Sequence, residues 1–274
     1  MKTKIKRLIA LLIAAVIIML PVWYYNNFTV KTVYETISSS KVDGEIKIAV
    51  ISDLHAYKFG KDNKKIVNGI EELSPDLIFF LGDMYSRGQT DKIGESVEFL
   101  EALAEITQVF IVTGDHDYDE SYKNELRKIE NVTLLDYVKE DITVNSNELC
   151  IYGIDNVYFS STFDLSNEFE VPDEDKLNIL LSHIPSIEHY GDFGFDLIFC
   201  GDTHGGMIRL PFLDGLYFNG YLLPKITYKG ILTDKGLYEF EKTSLFVTSG
   251  LGNYPLPLRF NNRPEICLIT IKGE

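Results

Sequence analysis

Five apolar runs in this chain end on Asp or His, in order along the sequence. Ile48-Ala49-Val50-Ile51 leads into Ser52-Asp53-Leu54-His55, Leu77-Ile78-Phe79-Phe80-Leu81 into Gly82-Asp83, and Val109-Phe110-Ile111-Val112 into Thr113-Gly114-Asp115-His116-Asp117. Ile179-Leu180-Leu181 then leads into Ser182-His183, and Leu197-Ile198-Phe199-Cys200 into Gly201-Asp202-Thr203-His204. Short apolar runs bounded in this way read as buried β-strands. Strands ending in this order gather four of the five histidines, with their neighbouring aspartates, at one edge of a sheet. That edge is where α/β folds build ligand sites.

Between the early strands lie helical stretches, Asp62 to Leu73, Asp91 to Ile106 and Asp119 to Ile129, each opening near an aspartate of the kind that suits a helix start. This βαβα alternation predicts a mainly parallel sheet. After Asn131 the runs Val132 to Leu135, Ile142 to Val144 and Leu149 to Ile154 are short and closely spaced, which predicts antiparallel pairing in the later part. Pro211 to Lys242 reads as an extended loop with hairpin pieces, and Leu245 to Thr248 and Ile266 to Ile271 as closing strands.

A 274-residue chain with 45% hydrophobic residues can bury one large core. Its net charge of −15 argues against nucleic acid as a partner, because a polyanion is bound by neutralising its phosphates. Cys150, Cys200 and Cys267 lie inside apolar runs without metal-type spacing and read as buried thiols.

The amino terminus stands apart. Lys2, Lys4, Lys6 and Arg7 precede an uncharged stretch from Leu8 to Tyr25, near the lower limit for crossing a bilayer, and Trp23, Tyr24 and Tyr25 supply an interfacial belt. Residues 1–25 therefore read as a single-pass anchor with the remainder outside the cytoplasm. A cleaved signal peptide is the alternative, although Leu20-Pro21-Val22-Trp23 offers no small-x-small site. Residues 26–44 read as a polar connector holding at most one strand, and residues 45–274 as the globular domain.

Carboxylates and imidazoles gathered at one edge suit a pair of divalent ions, which at about 3.5–4 Å separation clamp phosphoryl oxygens and acidify water. The ordered motifs, Asp-x-His, Gly-Asp, Gly-Asp-His-Asp, Ser-His and Gly-Asp-x-His, resemble the calcineurin-like metallophosphoesterase family across nearly all of the predicted exported part. Gly201 to Pro211, Ser249 to Asn253 and Arg259 to Glu265 are similar to its membrane-associated bacterial branch. The resemblance implies a four-layer α/β/β/α sandwich with mixed sheets, here preceded by one transmembrane helix. It implies one metal on Asp53, His55, Asp83 and His204, and a second on Asp83, Asp115, His183 and Asp202, with Asp83 bridging. It also implies His116 as the group that protonates the leaving oxygen, with Asp117 orienting its ring.

Two positions depart from the family pattern, and both fall on the second metal. Asp115 stands where the family has Asn, and Asp202 where it has His. Asp53, Asp83, Asp115 and Asp202 together cancel the charge of two divalent ions. The oxygen-rich second site favours Mn²⁺, with Mg²⁺, Fe²⁺ or Zn²⁺ as alternatives, and a monoanionic phosphodiester over a dianionic monoester.

Arg209, Asn253 and Arg259 are candidate contacts to a phosphate or head group, against the plainer reading of solvated loop residues. Tyr217, Phe218, Tyr221 and Tyr228 read as loop packing or as a surface that meets lipid. The resulting expectation is a membrane-tethered metallophosphoesterase acting on a lipid-linked or envelope phosphodiester. The alternatives are an exported nucleotide phosphodiesterase and a non-catalytic metal-binding sensor or scaffold.

Overall fold

The computed structural model describes residues 2–155, 164–211, 213–218, 221–222, 227–228 and 231–274. Side chains alternate across the strands, so each strand feeds two cores. In β2 (Glu45–Ile51), Ile46, Ile48 and Val50 face one core while Ala49 and Ile51 face another. The same alternation runs through β3 (Leu77–Phe80) and β4 (Val109–Ile111), which turn Phe79 and Phe110 inward and Ile78, Phe80 and Ile111 outward. Helices α2 (Lys64–Leu73), α3 (Ile93–Ala104) and α4 (Glu120–Leu126) cover the outward side with Ile66, Ile70, Leu100 and Leu126.

The inward residues meet those of a second sheet. Ile151 comes from β7 (Asn147–Ile154), Ile179 and Leu181 from β8 (Leu177–Ser182), Phe199 from β9 (Leu197–Cys200), and Phe246 from β17 (Ser244–Val247). The far face of this sheet, with Tyr152, Leu180 and Ile198, is covered by the short 3-10 turns Leu165–Asn167 and Ile187–His189. These are the four layers of the predicted mixed-sheet α/β/β/α sandwich, the outermost on this side being, among the described residues, turns in place of α-helices.

The first sheet has the order β1-β18-β2-β3-β4-β5, with β1 Lys31–Ser39, β5 Val132–Leu134 and β18 Glu265–Gly273. The second has the order β16-β17-β9-β8-β7-β6, with β6 Val138–Val144 and β16 Gly236–Glu239. Within the two large sheets, antiparallel pairing, expected throughout the later part, is confined to β6–β7, β16–β17 and β18–β2. The centre of the second sheet is parallel, as is β4–β5. A crossover needs a dozen or so residues but no α-helix. The segments after β7 and β8 supply that length while lacking helical periodicity. Between β9 and β16, the strand pairs Arg209–Leu210 with Leu213–Gly215, Tyr217–Phe218 with Tyr221–Leu222, and Thr227–Tyr228 with Ile231–Leu232 form three small hairpins. The side chains of Tyr217, Phe218, Tyr221 and Tyr228 lie outside the described set.

Helix α1 (Lys2–Phe28) is long and apolar enough to cross a membrane. The 26–44 stretch contributes β1, which pairs with β18 in parallel over nine residues and buries Ile37. Its alternation is weak in sequence because only Val33 and Ile37 among its inward positions are apolar, while Lys31, Glu35 and Ser39 are half-buried polar residues.

Candidate metal centre

Every predicted ligand follows the carboxyl end of a parallel strand. Asp53 and His55 follow β2, Asp83 follows β3, Asp115 follows β4, His183 follows β8, and Asp202 and His204 follow β9. Asp53, His55, Asp83, Asp202 and His204 have φ between 49° and 66°, the left-handed region. Each such residue costs of order 1 kcal/mol and persists where its surroundings hold it. The turn around Asp53 is laced to the turn around Asp83: Asp53 N donates to Gly82 O at 2.9 Å, and His55 N to Asp83 O at 3.0 Å. A Cβ on Gly114 would run into the Asp83 carboxylate, so glycine there sets how closely the third turn approaches the second.

The ligand atoms converge. Asp83 Oδ2 lies 3.4 Å from His55 Nε2 and 3.5 Å from His183 Nε2, which places it between the two halves of the cluster. His204 Nε2 is 3.2 Å from His55 Nε2 and 3.7 Å from Asp53 Oδ1. On the other side His183 Nε2 lies 3.9 Å from both Asp115 Oδ1 and Asp202 Oδ1. His183 Nδ1 meets the Leu81 carbonyl at 2.6 Å. A carbonyl only accepts, so the ring proton sits on Nδ1 and Nε2 offers its lone pair, the second-sphere arrangement common to metal-bound histidines.

Two features fit these residues to divalent cations. Asp53 Oδ1 and His183 Nε2 are buried in the cluster without a hydrogen-bond partner, an arrangement that is costly unless a cation satisfies them. The cluster is also short of positive charge. Burial pushes the Asp83 carboxyl up to about 8 and that of Asp202 up to about 7. Burial would lower His183, but the carboxylates of Asp83, Asp53 and Asp202 hold it well above its ordinary value. Metal ions would supply the charge that protons otherwise bring. His204 is lowered to about 4 by burial, with Arg259 and the other histidines adding to the effect, and is therefore a neutral imidazole at neutral pH.

His116 lies beside the cluster, its Nε2 3.8 Å from Asp115 Oδ1. The Arg87 backbone N–H donates to His116 Nδ1 at 2.9 Å, so the neutral ring carries its proton on Nε2. Asp117 does not orient that ring. Its Oδ2 accepts from Met84 N and its Oδ1 from Gly114 N, both at 2.6 Å, and it is fully buried. The tight turn that presents His116 at the mouth sends the next side chain beneath it, where it ties the second ligand turn to the third.

The three expected substrate contacts are also directed elsewhere. Arg259 is buried, and its guanidinium donates to the carbonyls of Ser249 at 2.7 Å and Gly252 at 2.7 Å, with Nη2 3.4 Å from His204 Nδ1. Arg209 pairs with Asp234 at 2.7 Å. Asn253 Nδ2 donates to Asn27 O at 2.8 Å. These residues brace the loops behind the cluster.

Two residues at the mouth were not singled out in sequence. The Tyr254 ring stacks on His55 with centroids 4.6 Å apart and meets His116 edge-on at 4.5 Å. The Arg87 guanidinium, half exposed, donates to Asp115 O at 2.8 Å. Arg87 follows Asp83 closely enough to be suspected from spacing. Nothing local marks Tyr254, which reaches the mouth only through the packing of its loop.

The chain is similar to several known proteins. The chain is 28% identical to the uncharacterized metallophosphoesterase YkuE of Bacillus subtilis, covering 91% of this chain and 88% of that protein. It is 25% identical to the UDP-2,3-diacylglucosamine pyrophosphatase LpxG of Chlamydia muridarum, covering 84% of each. Among solved structures, the NAD nucleotidase of Haemophilus influenzae aligns with a TM-score of 0.46 at 16% identity, covering 74% of this chain and 44% of that one. Residues 46–206, more than half of the sequence, match the calcineurin-like phosphoesterase family model, and the chain belongs to that family of phosphoester hydrolases.

Proposed function

We propose that this hydrolase is a dinuclear-metal phosphodiesterase, tethered to a membrane by α1 and acting on a lipid-linked or envelope substrate. The observation that carries the reading is the pair of unpartnered donors, Asp53 Oδ1 and His183 Nε2, inside the carboxylate and imidazole cluster. Asp53, His55, Asp83 and His204 would hold one ion, and Asp83, Asp115, His183 and Asp202 the other. Bound there, divalent ions supply Lewis-acid charge and an acidified water. His116 presents its Nε2 proton to the departing oxygen, and the Arg87 amide keeps that tautomer in place. Asp117 holds the turns so that Asp83 and His116 keep their spacing.

Four carboxylates against two divalent ions leave little surplus charge to attract a phosphate dianion, which favours diesters. Three oxygens and one nitrogen at the second site favour Mn²⁺ or Mg²⁺ over Zn²⁺. The basic flank before the α1 apolar stretch supports an exported catalytic domain. The LpxG relatives, whose name denotes a pyrophosphatase of a diacylated sugar nucleotide, support a lipid-linked substrate.

The test is hydrolysis of bis-p-nitrophenyl phosphate by the detergent-solubilised full chain with Mn²⁺, beside Asp83→Ala, with metal counted per chain. Two ions and activity that vanishes in the variant support the reading. One ion and no activity with Mn²⁺, Mg²⁺, Fe²⁺ or Zn²⁺ would point instead to a metal-binding scaffold. A nucleotide substrate is favoured by one feature, the Tyr254 ring at the mouth, on which a base could stack.

A further inference from the structure

We infer that the loop from Tyr254 to Phe260 is a second membrane contact, inserting its apolar side chains into the interface of the bilayer that α1 crosses and setting the mouth of the metal centre against the lipid surface. The inference rests on the reading of α1 as a membrane anchor.

Three observations carry it. The loop is fixed to the end of the helix by buried polar contacts. Asn27 Nδ2 donates to Arg259 O at 3.0 Å, Arg259 N donates to Asn27 Oδ1 at 2.8 Å, and Asn261 N donates to Asn26 Oδ1 at 2.8 Å. The Trp23 indole N–H, within the aromatic belt, donates to Pro257 O at 2.7 Å, so the loop tip lies at the height of that belt.

The tip is also apolar and open. Leu256, Leu258 and Phe260 are 57%, 41% and 45% exposed, and they continue the exposed surface of Trp23, Tyr24 and Tyr25. Single exposed apolar residues are ordinary, but a contiguous patch beside a membrane helix is not. Charge points the same way. The chain holds 41 Asp and Glu, yet residues 243–264 hold none, nor do residues 1–34. A surface lying on anionic lipid head groups has to exclude carboxylates.

The loop also carries Tyr254, stacked on His55 and edge-on to His116. Seating the tip in the interface therefore places the centre within reach of a phosphoester at head-group depth. Such a substrate need not leave the bilayer.

The experiment labels single cysteines introduced as Leu256→Cys, Leu258→Cys and Ser40→Cys with an environment-sensitive fluorophore. The native cysteines are all buried. Full-length protein is reconstituted in phosphatidylethanolamine and phosphatidylglycerol vesicles containing nitroxide-labelled phosphatidylcholine. Melting temperatures of the labelled proteins matching the parent verify folding. Trp23, the chain's single tryptophan, is an internal depth reference. Ser40 lies at the far end of β1, about 30 Å from the helix along the strand, and serves as the aqueous reference.

The expected result is that the probes at 256 and 258, like Trp23, lose roughly half their emission to the nitroxide lipid and resist iodide. The probe at 40 should behave in the opposite way. Iodide-sensitive, lipid-insensitive probes at 256 and 258 beside a lipid-quenched Trp23 would overturn the inference while leaving the anchor intact. A Trp23 insensitive to the nitroxide lipid would remove the anchor reading itself, and the inference with it.

Discussion

Asp117 and Asp202 show how much depends on where a carboxylate points. Asp117 accepts two backbone N–H bonds at 2.6 Å with no access to water, so Asp117→Asn leaves one amide facing a donor instead of an acceptor. A loss of about 1–3 kcal/mol is expected, read from denaturant unfolding. Activity should fall with it while its dependence on the leaving group stays unchanged. His116→Gln should act oppositely, with parental stability but a steeper dependence on leaving-group basicity. Alkyl diesters should lose on the order of 10²–10⁴-fold and p-nitrophenyl esters far less. Equal losses on both substrates would rule out proton donation by His116. Asp202→His removes a negative charge and adds a nitrogen donor, so Zn²⁺ should bind more tightly relative to Mn²⁺ in competition titrations. The seven candidate ligands were legible because each follows an apolar run directly. Asp117, Arg209, Asn253 and Arg259 make contacts that the sequence does not indicate, because residue type reveals the chemistry a side chain can do, whereas packing selects the partner.

At the scale of elements, β1 is the part of the chain that its own sequence undersells. It pairs with β18 over nine residues, buries Ile37, and is tied at its start by Lys31 to Glu265 at 3.1 Å. Glu265, held down to about 2 chiefly by Lys235 and Lys31 against its burial, also accepts from Ser249 N at 2.9 Å in the loop that Arg259 braces. A protein beginning at Glu45 should therefore be less stable than one beginning at Asn26, by an amount that includes about 2 kcal/mol for Ile37 alone, and should melt well below it. Equal melting temperatures would show β1 to be dispensable. The parallel centre of the second sheet was missed for a related reason. The segments between these strands carry no helical period in sequence, so the spacing between strands resembles that of hairpins.

Over the whole molecule, the candidate metal centre couples stability to pH. Asp83 and Asp202 have folded values of about 8 and about 7, above the ordinary 3.8. Their contribution is complete below about pH 4 and is lost as pH rises through the folded values. His204, lowered to about 4 from 6.5, runs the other way but only below about 6.5. Between about pH 6.5 and 8 the metal-free protein should thus lose stability, and the rise in melting temperature on adding Mn²⁺ should grow across that window. A metal-induced shift that stayed flat from pH 6.5 to 8 would mean that these carboxylates are not the ligands. The sequence by itself determined the strands, the order in which they deliver the candidate ligands and the apolar first helix, because periodicity and strand-end chemistry are local. Tertiary structure decided which polar groups face the centre and which brace it, that β1 closes the first sheet, and that Tyr254 stands at the mouth beside the helix end. Those outcomes depend on contacts between segments as far apart as Asn27 and Arg259, which no local pattern encodes.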